Sequence, residues 1–289
     1  MSISTRTLYL CRHGETELNK QRILQGQGVD ASLNETGKEQ AAALCKELKG
    51  IDYLAVTGLK RTKETAKGLS MDMNVYKELN EIHWGCYENL QNPDLSAILE
   101  EWNSGNFDCK SEGGESPNEV RDRSIVGLFR ILDDSHKCKK IGVIAHGRLL
   151  RILISQLIHN TLHYMPLILH SNTCINEFKI EQFRLPATKF ETPTFLPDIT
   201  LFKDVLKTIY NDLEPNTPEL DFLHAQLYTL VNRDSLIDPT TPTLPFVENV
   251  HYSNCYFYKR QHWASVYGFK DMIYVFIALR INSTEHLKQ

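Results

Sequence analysis

The sequence predicts an α/β fold built on a mostly parallel sheet. Two short apolar runs, Leu8 to Cys11 and Ile141 to Ala145, each lead at once into a histidine-glycine pair. Between them, stretches with helical apolar spacing alternate with short strand-like runs, the pattern of helices laid over a parallel sheet. Charged residues follow directly on the apolar runs. They would fall at the carboxyl ends of strands, where open α/β sheets bind ligands.

Composition narrows the class. A chain of 289 residues suits one large domain or two, and 42% hydrophobic with 24% charged residues is ordinary for a soluble globular protein. A net charge of -4 argues against a general nucleic-acid surface, so a phosphate site has to be a local basic pocket. The seven cysteines, at positions 11, 45, 86, 109, 138, 174 and 255, are odd in number and lack CxxC spacing. They read as free thiols, not as a disulfide framework or a zinc site. No apolar run is long enough to span a membrane, and the N-terminus lacks a signal core. The expectation is a cytoplasmic protein without cofactor, metal, membrane or nucleic-acid partner.

The first strand, Leu8 to Cys11, ends in Arg12-His13-Gly14-Glu15-Thr16, with Asn19 close behind. Gly14 allows a sharp turn and a close approach to a bound group. Imidazole beside guanidinium suits phosphoryl chemistry, in which His attacks a phosphoryl group that Arg holds. Residues 21–33 read as a loop beside the strand end, where amides near Asn19 and Gly26 would add donors for a phosphate. Thr36 to Glu39 fits a capping box, followed by a helical stripe of Ala41, Ala42, Leu44, Cys45 and Leu48 that Gly50 closes. Residues 51–57 form a second strand. A helix then begins near Lys60 and places Arg61 in its first turn, where a cation is disfavoured unless an anion is bound there.

Val75-Tyr76 is a short edge-like strand leading to Glu78, Glu81 and Gly85. Glu81 stands before an aromatic and a glycine, in a setting that would desolvate a carboxyl group and suit a general acid. Glu78 is its rival. Residues 94–102 form a short helix and 103–114 a polar loop. Gly113-Gly114-Glu115-Ser116 then opens a long helix running to about His136, with Pro117 in its first turn. Ile141 to Ala145 is a fully buried strand, followed by His146-Gly147-Arg148 and another helix. His159 and His163 have i,i+4 spacing, but no third ligand is evident and the metal reading is not preferred. Residues 172–178 close the sheet.

The order Arg12-His13-Gly14-Glu15-Thr16, Arg61, Glu81 and His146-Gly147 resembles the histidine phosphatase (phosphoglycerate mutase-like) superfamily over roughly residues 6–180. The resemblance implies a three-layer sandwich around the sheet. It further implies His13 as nucleophile, Arg12, Arg61 and His146 as phosphoryl clamps, and Glu81 as proton donor. Asn19, Gly26 and Gly147 would complete the substrate pocket, and no metal would be needed. The wording around His13, Arg61 and Glu81 is closest to the fructose-2,6-bisphosphatase branch, and the residue 24–30 loop to the related TP53-induced glycolysis regulator. The segment before Gly-Glu-Ser departs from that branch, because residues 104–112 carry one lysine and two acids in place of a basic, Tyr-rich grip.

The expected activity is metal-independent hydrolysis of a small phosphorylated metabolite, a sugar bisphosphate being one example. Mutase-type phosphotransfer and a non-catalytic phospho-ligand or protein-binding module are the alternatives. After residue 183 the character changes, and eight of the eleven prolines lie between Pro186 and Pro245. Residues 184–197 read as a linker, 201–213 and 219–231 as helices, 238–245 as loop, and 255–258 and 272–281 as strands. This C-terminal extension could be a small appended domain, a decoration on the core, or an arm for oligomerisation or a protein partner.

Overall fold

The structure, a computed structural model, describes residues 4–184, 190–195 and 263–288. In chain order, the strands are β1 (Ser4–Arg12), β2 (Tyr53–Val56), β3 (Asn74–Val75), β4 (Lys140–Ala145), β5 (Ile175–Arg184), β6 (Phe190–Phe195), β7 (Trp263–Lys270) and β8 (Met272–Ser283). The helices are α1 (Glu17–Lys20), α2 (Glu35–Glu47), α3 (Lys60–Ala66), α4 (Ser96–Asn103), α5 (Pro117–Asp134) and α6 (Gly147–His159). The strands form one sheet in the order β3-β2-β4-β1-β5-β8-β7-β6. Its central part is mostly parallel: β3, β2, β4 and β1 run the same way, and β5 returns antiparallel.

Side-chain alternation along the strands builds the layers. Leu8, Leu10, Ile141, Val143 and Ala145 point to one face, under the apolar stripes of α5 and α6. Cys11, Ile144, Leu54 and Val56 point to the other, where Leu44 and Leu48 of α2 and Ala66 of α3 cover them. This is the three-layer α/β arrangement. Ser116 caps α5 in a full capping box with Glu119, and Pro117 opens it.

Three expectations need correction. The N-cap of α2 lies two residues before Thr36: it is Asn34, which accepts from the Gly37 N–H at 2.8 Å. Gly14 has a role beyond the expected turn, because a Cβ there would lie 2.5 Å from the Gly37 carbonyl of α2. The linker expected over 184–197 contains a strand, Phe190–Phe195, and β5 itself runs on to Arg184. The expected elements within 196–262 lie outside the described residues.

The strand expected over 272–281 is present as β8. It pairs antiparallel with β5, and β7 and β6 follow in the same sheet. The attraction is aromatic: Phe129 of α5 meets the rings of Tyr267, Phe269, Tyr274 and Phe276 at centroid distances of 5.5, 5.5, 5.1 and 5.8 Å. β8 also covers the β5 edge, which would otherwise expose unpaired backbone groups. The described part of the extension is therefore continuous with the core sheet.

Arg6 on β1 is 1% exposed and fastens this assembly. Its guanidinium donates to the carbonyls of Leu132 (2.9 Å), Ser135 (2.9 Å) and Cys138 (3.0 Å), at and beyond the end of α5. These carbonyls have no further turn of helix to bond. Arg6→Met should strand them in the core, at about 1–3 kcal/mol per buried unsatisfied group. Urea denaturation should show a loss of at least about 3 kcal/mol.

Candidate active site

The site follows from one register. β1 and β4 are parallel neighbours paired Cys11 with Ile144 and Arg12 with Ala145. The next residues out of the two strands are His13 and His146, and their ring centroids lie 5.3 Å apart. At that spacing the two imidazoles stand side by side in contact, so both can reach one phosphoryl group placed over the strand ends. Both rings are buried, at 3% and 0% exposure.

The partners fix each tautomer. His13 Nδ1 lies 2.7 Å from the Gly14 carbonyl, which can only accept, so Nδ1 carries the proton. The Nε2 lone pair is left for nucleophilic attack. Burial, with Arg61 and Arg12 adding to it, holds His13 well below the usual imidazole pKa, so the ring is neutral at pH 7. His146 has the opposite tautomer. Its Nδ1 accepts from Arg61 Nε at 3.2 Å. Its Nε2–H donates to Thr57 Oγ1 at 2.9 Å, Thr57 donates to Thr62 Oγ1 at 3.0 Å, and Thr62 donates to the Leu59 carbonyl at 2.8 Å. Burial and the charges of Arg61 and Arg12 likewise push His146 well down.

Both arginines are held by neutral carbonyls. Arg12 Nη1 donates to the His170 carbonyl at 2.6 Å, and Arg12 Nε is buried without a hydrogen-bond partner among the described residues. Arg61, 1% exposed, donates to the carbonyls of Val29 (2.7 Å) and Gly26 (3.1 Å). Gly26 thus contributes a carbonyl that positions Arg61. A Cβ on Gly26 would collide with Glu88, at 1.8 Å from its Oε1. Gly147 opens α6, and a Cβ there would lie 3.2 Å from Arg12 Nε. Asn19 closes the capping box of α1: its Oδ1 accepts from the Thr16 N–H at 3.2 Å.

Glu81 is 7% exposed and docked on the start of α6. Oε1 accepts from the N–H groups of Leu149 (2.8 Å) and Ile82 (3.0 Å), and Oε2 from that of Arg148 (3.1 Å). Its rival Glu78 faces outward and takes an ion pair from Arg130 at 2.8 Å. The structure therefore brings His13, His146, Arg12, Arg61 and Glu81 together. Among the described residues, no cluster of three or more His, Cys, Asp or Glu is placed to hold a metal ion. His159 stacks on Tyr164 and His163 meets the edge of Phe107.

Sequence reading misses the supporting groups. Thr57, Thr62 and Thr65 line the strand-to-helix turn, and Thr65 Oγ1 accepts from Gly14 N–H at 2.9 Å. Arg123 donates to the carbonyls of Glu78, Asn80 and Glu81 at 2.7, 2.8 and 3.1 Å, stapling the Glu81 loop to α5. The loop at 170–174 is tied to the extension: Ser171 N–H donates to Asn282 Oδ1, and Asn282 N–H to Asn176 Oδ1, both at 2.9 Å. No local pattern marks these residues, since each acts across more than forty positions of chain or through a hydroxyl in an ordinary helix start.

The pattern of the histidine phosphatase superfamily (branch 1) matches residues 8–191. The chain belongs to that superfamily. Phosphoglycerate mutase-like protein 4 of Arabidopsis thaliana is 30% identical over 186 residues, covering 60% of this chain and 79% of that protein. A mycobacterial glucosyl-3-phosphoglycerate phosphatase structure is 25% identical with a TM-score of 0.53, covering 61% of this chain and 93% of the other. The alpha-ribazole phosphatase of Shigella flexneri shares the fold at 23% identity and TM-score 0.52, over 60% of this chain and 89% of that one. Phosphatase neighbours within the superfamily support a phosphatase here. No helix among the described residues is long and apolar enough to cross a membrane.

The buried imidazoles make stability depend on pH. His170, 4% exposed, joins His13 and His146. Burial, then Arg151 and Arg12, lower it to about 3, while Ile168 and Asn176 lie near without making a well-formed bond to either ring nitrogen. All three are lowered in the folded state. Below about pH 6.5 the unfolded chain therefore binds protons that the folded chain does not, and stability falls with pH. Each contributes about 1.4 kcal/mol per pH unit there. Denaturation at about pH 7.5 and pH 5.5 should differ by at least about 4 kcal/mol, with the acid side weaker, since burial also lowers His159, to about 4.

Proposed function

We propose that the protein is a metal-independent phosphomonoesterase that works through a phosphohistidine on a small phosphorylated metabolite. The observation that supports this reading most is the neutral His13, with Nε2 unprotonated, standing beside His146 while the buried Arg12 Nε has no hydrogen-bond partner among the described residues. Nε2 of His13 attacks phosphorus, and the bond to the leaving oxygen breaks as Glu81 protonates that oxygen. Arg12, Arg61 and His146 hold the three remaining phosphoryl oxygens. Water then attacks the phosphohistidine, gives a proton to Glu81, and releases phosphate and free His13.

Hydrolysis of p-nitrophenyl phosphate tests this. Activity should survive EDTA and fall at least about a thousandfold in His13→Ala. A well-folded wild type with no activity would shift the reading to a phospho-ligand binding module. The mutase-like relative favours a second reading, phosphotransfer to another acceptor. Product analysis separates the two: free inorganic phosphate for hydrolysis, an isomeric ester for transfer. Fructose-2,6-bisphosphate is a probe of the substrate class, although the lysine of the 104–112 segment is paired with Glu119 at 2.6 Å and does not supply a grip for it.

Phosphate binding should also move a proton. His146 Nδ1 now accepts from Arg61, yet must donate in order to hold a phosphoryl oxygen. A bound dianion supplies the counter-charge that burial denies the imidazolium. Titration calorimetry with inorganic phosphate at about pH 7.5, in buffers of different ionisation enthalpy, should show uptake of about one proton per phosphate bound.

A further inference from the structure

Among the described residues, the Arg148 guanidinium is a cation without an ion-pair partner, because Glu81 bonds only the Arg148 main chain. It lies in the first turn of α6, where the helix dipole disfavours positive charge. Arg151, one turn further along, adds like charge. The arginines of α5 have carboxylate partners: Arg123 with Glu115 at 2.9 Å, Arg130 with Glu78 at 2.8 Å, and Arg121 with Asp122 at 2.7 Å. Among the described residues, Arg148 makes no ion pair, and its guanidinium donates no hydrogen bond. What holds it is aromatic: the guanidinium carbon lies 5.5 Å from the ring centroids of both Trp84 and Trp102. Such contacts orient a guanidinium and leave its donors uncommitted. Burial lowers its pKa to about 10, so the charge persists at pH 7.

Its place relative to the reaction follows from Glu81. The Arg148 N–H is bonded to Glu81 Oε2 at 3.1 Å, and the Glu81 carboxylate acts on the charges of Arg12, Arg61 and Arg148 alike. Arg148 is therefore anchored at the candidate proton donor, the group that has to meet the leaving oxygen, with its guanidinium over Trp84 and Trp102. The tryptophan shelf beneath it is built by the loop before α5. Trp102 Nε1–H donates to the Cys109 carbonyl and Ser111 Oγ–H to the Trp84 carbonyl, at 2.8 and 2.7 Å.

We propose that Arg148 is a specificity-determining residue that binds a second anionic group, a carboxylate or a further phosphate, on the leaving-group portion of the substrate. This rests on the phosphate-ester reading of the site. It makes the substrate an at least doubly anionic metabolite, whose released product keeps the second anion. The Trp84–Arg148–Trp102 arrangement supplies a planar fork, pre-oriented for a bidentate contact, in place of the basic cap segment this chain lacks.

Titration calorimetry on the full chain tests it, with inorganic phosphate, glycerol 1-phosphate, 3-phosphoglycerate and fructose-2,6-bisphosphate as ligands. Wild type should bind at least one of the last two about tenfold or more tightly than glycerol 1-phosphate, and which one it prefers identifies the second anion as carboxylate or phosphate. In Arg148→Met, which keeps a long apolar side chain over the tryptophans, that advantage should shrink to about threefold or less. Arg148→Lys should restore part of it. The same ratios should appear as inhibition constants against p-nitrophenyl phosphate hydrolysis. No advantage in wild type, or an advantage that persists in Arg148→Met, overturns the proposal. An equal loss of affinity for all four ligands assigns Arg148 a purely structural role and overturns it as well. Absence of p-nitrophenyl phosphate hydrolysis, with the calorimetric advantage intact, would instead fault the catalytic reading alone.

Discussion

The structure depends on holding two arginines and two imidazoles together out of water without neutralising them. Carboxylate partners would orient Arg12 and Arg61, but would also cancel the charge that a phosphoryl dianion needs. Backbone carbonyls orient without cancelling. His170 supplies one to Arg12, and Val29 and Gly26 supply two to Arg61. This choice explains why so much irregular chain surrounds the strand ends. The 21–33 and 170–174 loops present bare carbonyls at fixed places, which regular helix or strand, with its carbonyls already bonded, could not do.

Those loops then have to be rigid, and the rest of the fold supplies the rigidity. Gly14 and Gly37 lack side chains so that the His13 turn and the first turn of α2 can touch: a Cβ on Gly37 would lie 2.0 Å from the Glu15 carbonyl. The opposite side of the His13 turn leans on the 170–174 loop, where Thr173 N–H and Asn172 Nδ2 both donate to the His13 carbonyl. Asn282 on β8 secures that loop in turn. The C-terminal extension is thus mechanically coupled to the nucleophile through two short links. Its strands do more than cover the β5 edge.

What is legible in the sequence is whatever repeats locally. The strands at Leu8 and Ile141 announce themselves by apolar runs, α5 by Ser116 and Pro117, and the five site residues by their order along the chain. The start of α2 is ambiguous because Thr36 and Asn34 both make plausible caps, and only the Asn34 side chain is in place to accept from Gly37. The strand at 190–195 is hidden because Pro193 and neighbouring threonines resemble a linker, while its pairing comes from β7, some seventy residues later. Arg6 and Arg123 are invisible for the same reason. Each satisfies carbonyls that local sequence cannot show to be unsatisfied. Periodicity reports burial, and motif order reports chemistry, but neither reports which distant backbone group lacks a partner.

The position of Glu81 shows what this architecture gains. His146 is the N-cap of α6, and the Glu81 carboxylate bonds the second and third N–H groups of that same helix. The phosphoryl clamp and the candidate proton donor are therefore referenced to one rigid helix end, although they come from residues sixty-five positions apart. Proton transfer to a leaving oxygen tolerates little misplacement, and an error of about 1 Å can cost about a hundredfold in rate. A carboxylate carried on a loop alone would not hold that tolerance. Here the loop is stapled from below by Arg123 and fixed from above by α6, so the separation between clamp and acid is set by helix geometry instead of by loop conformation. Arg148, whose N–H is one of the groups that fix Glu81, projects from that same turn. An anion bound there on the leaving group would set the leaving oxygen in register with the Glu81 proton.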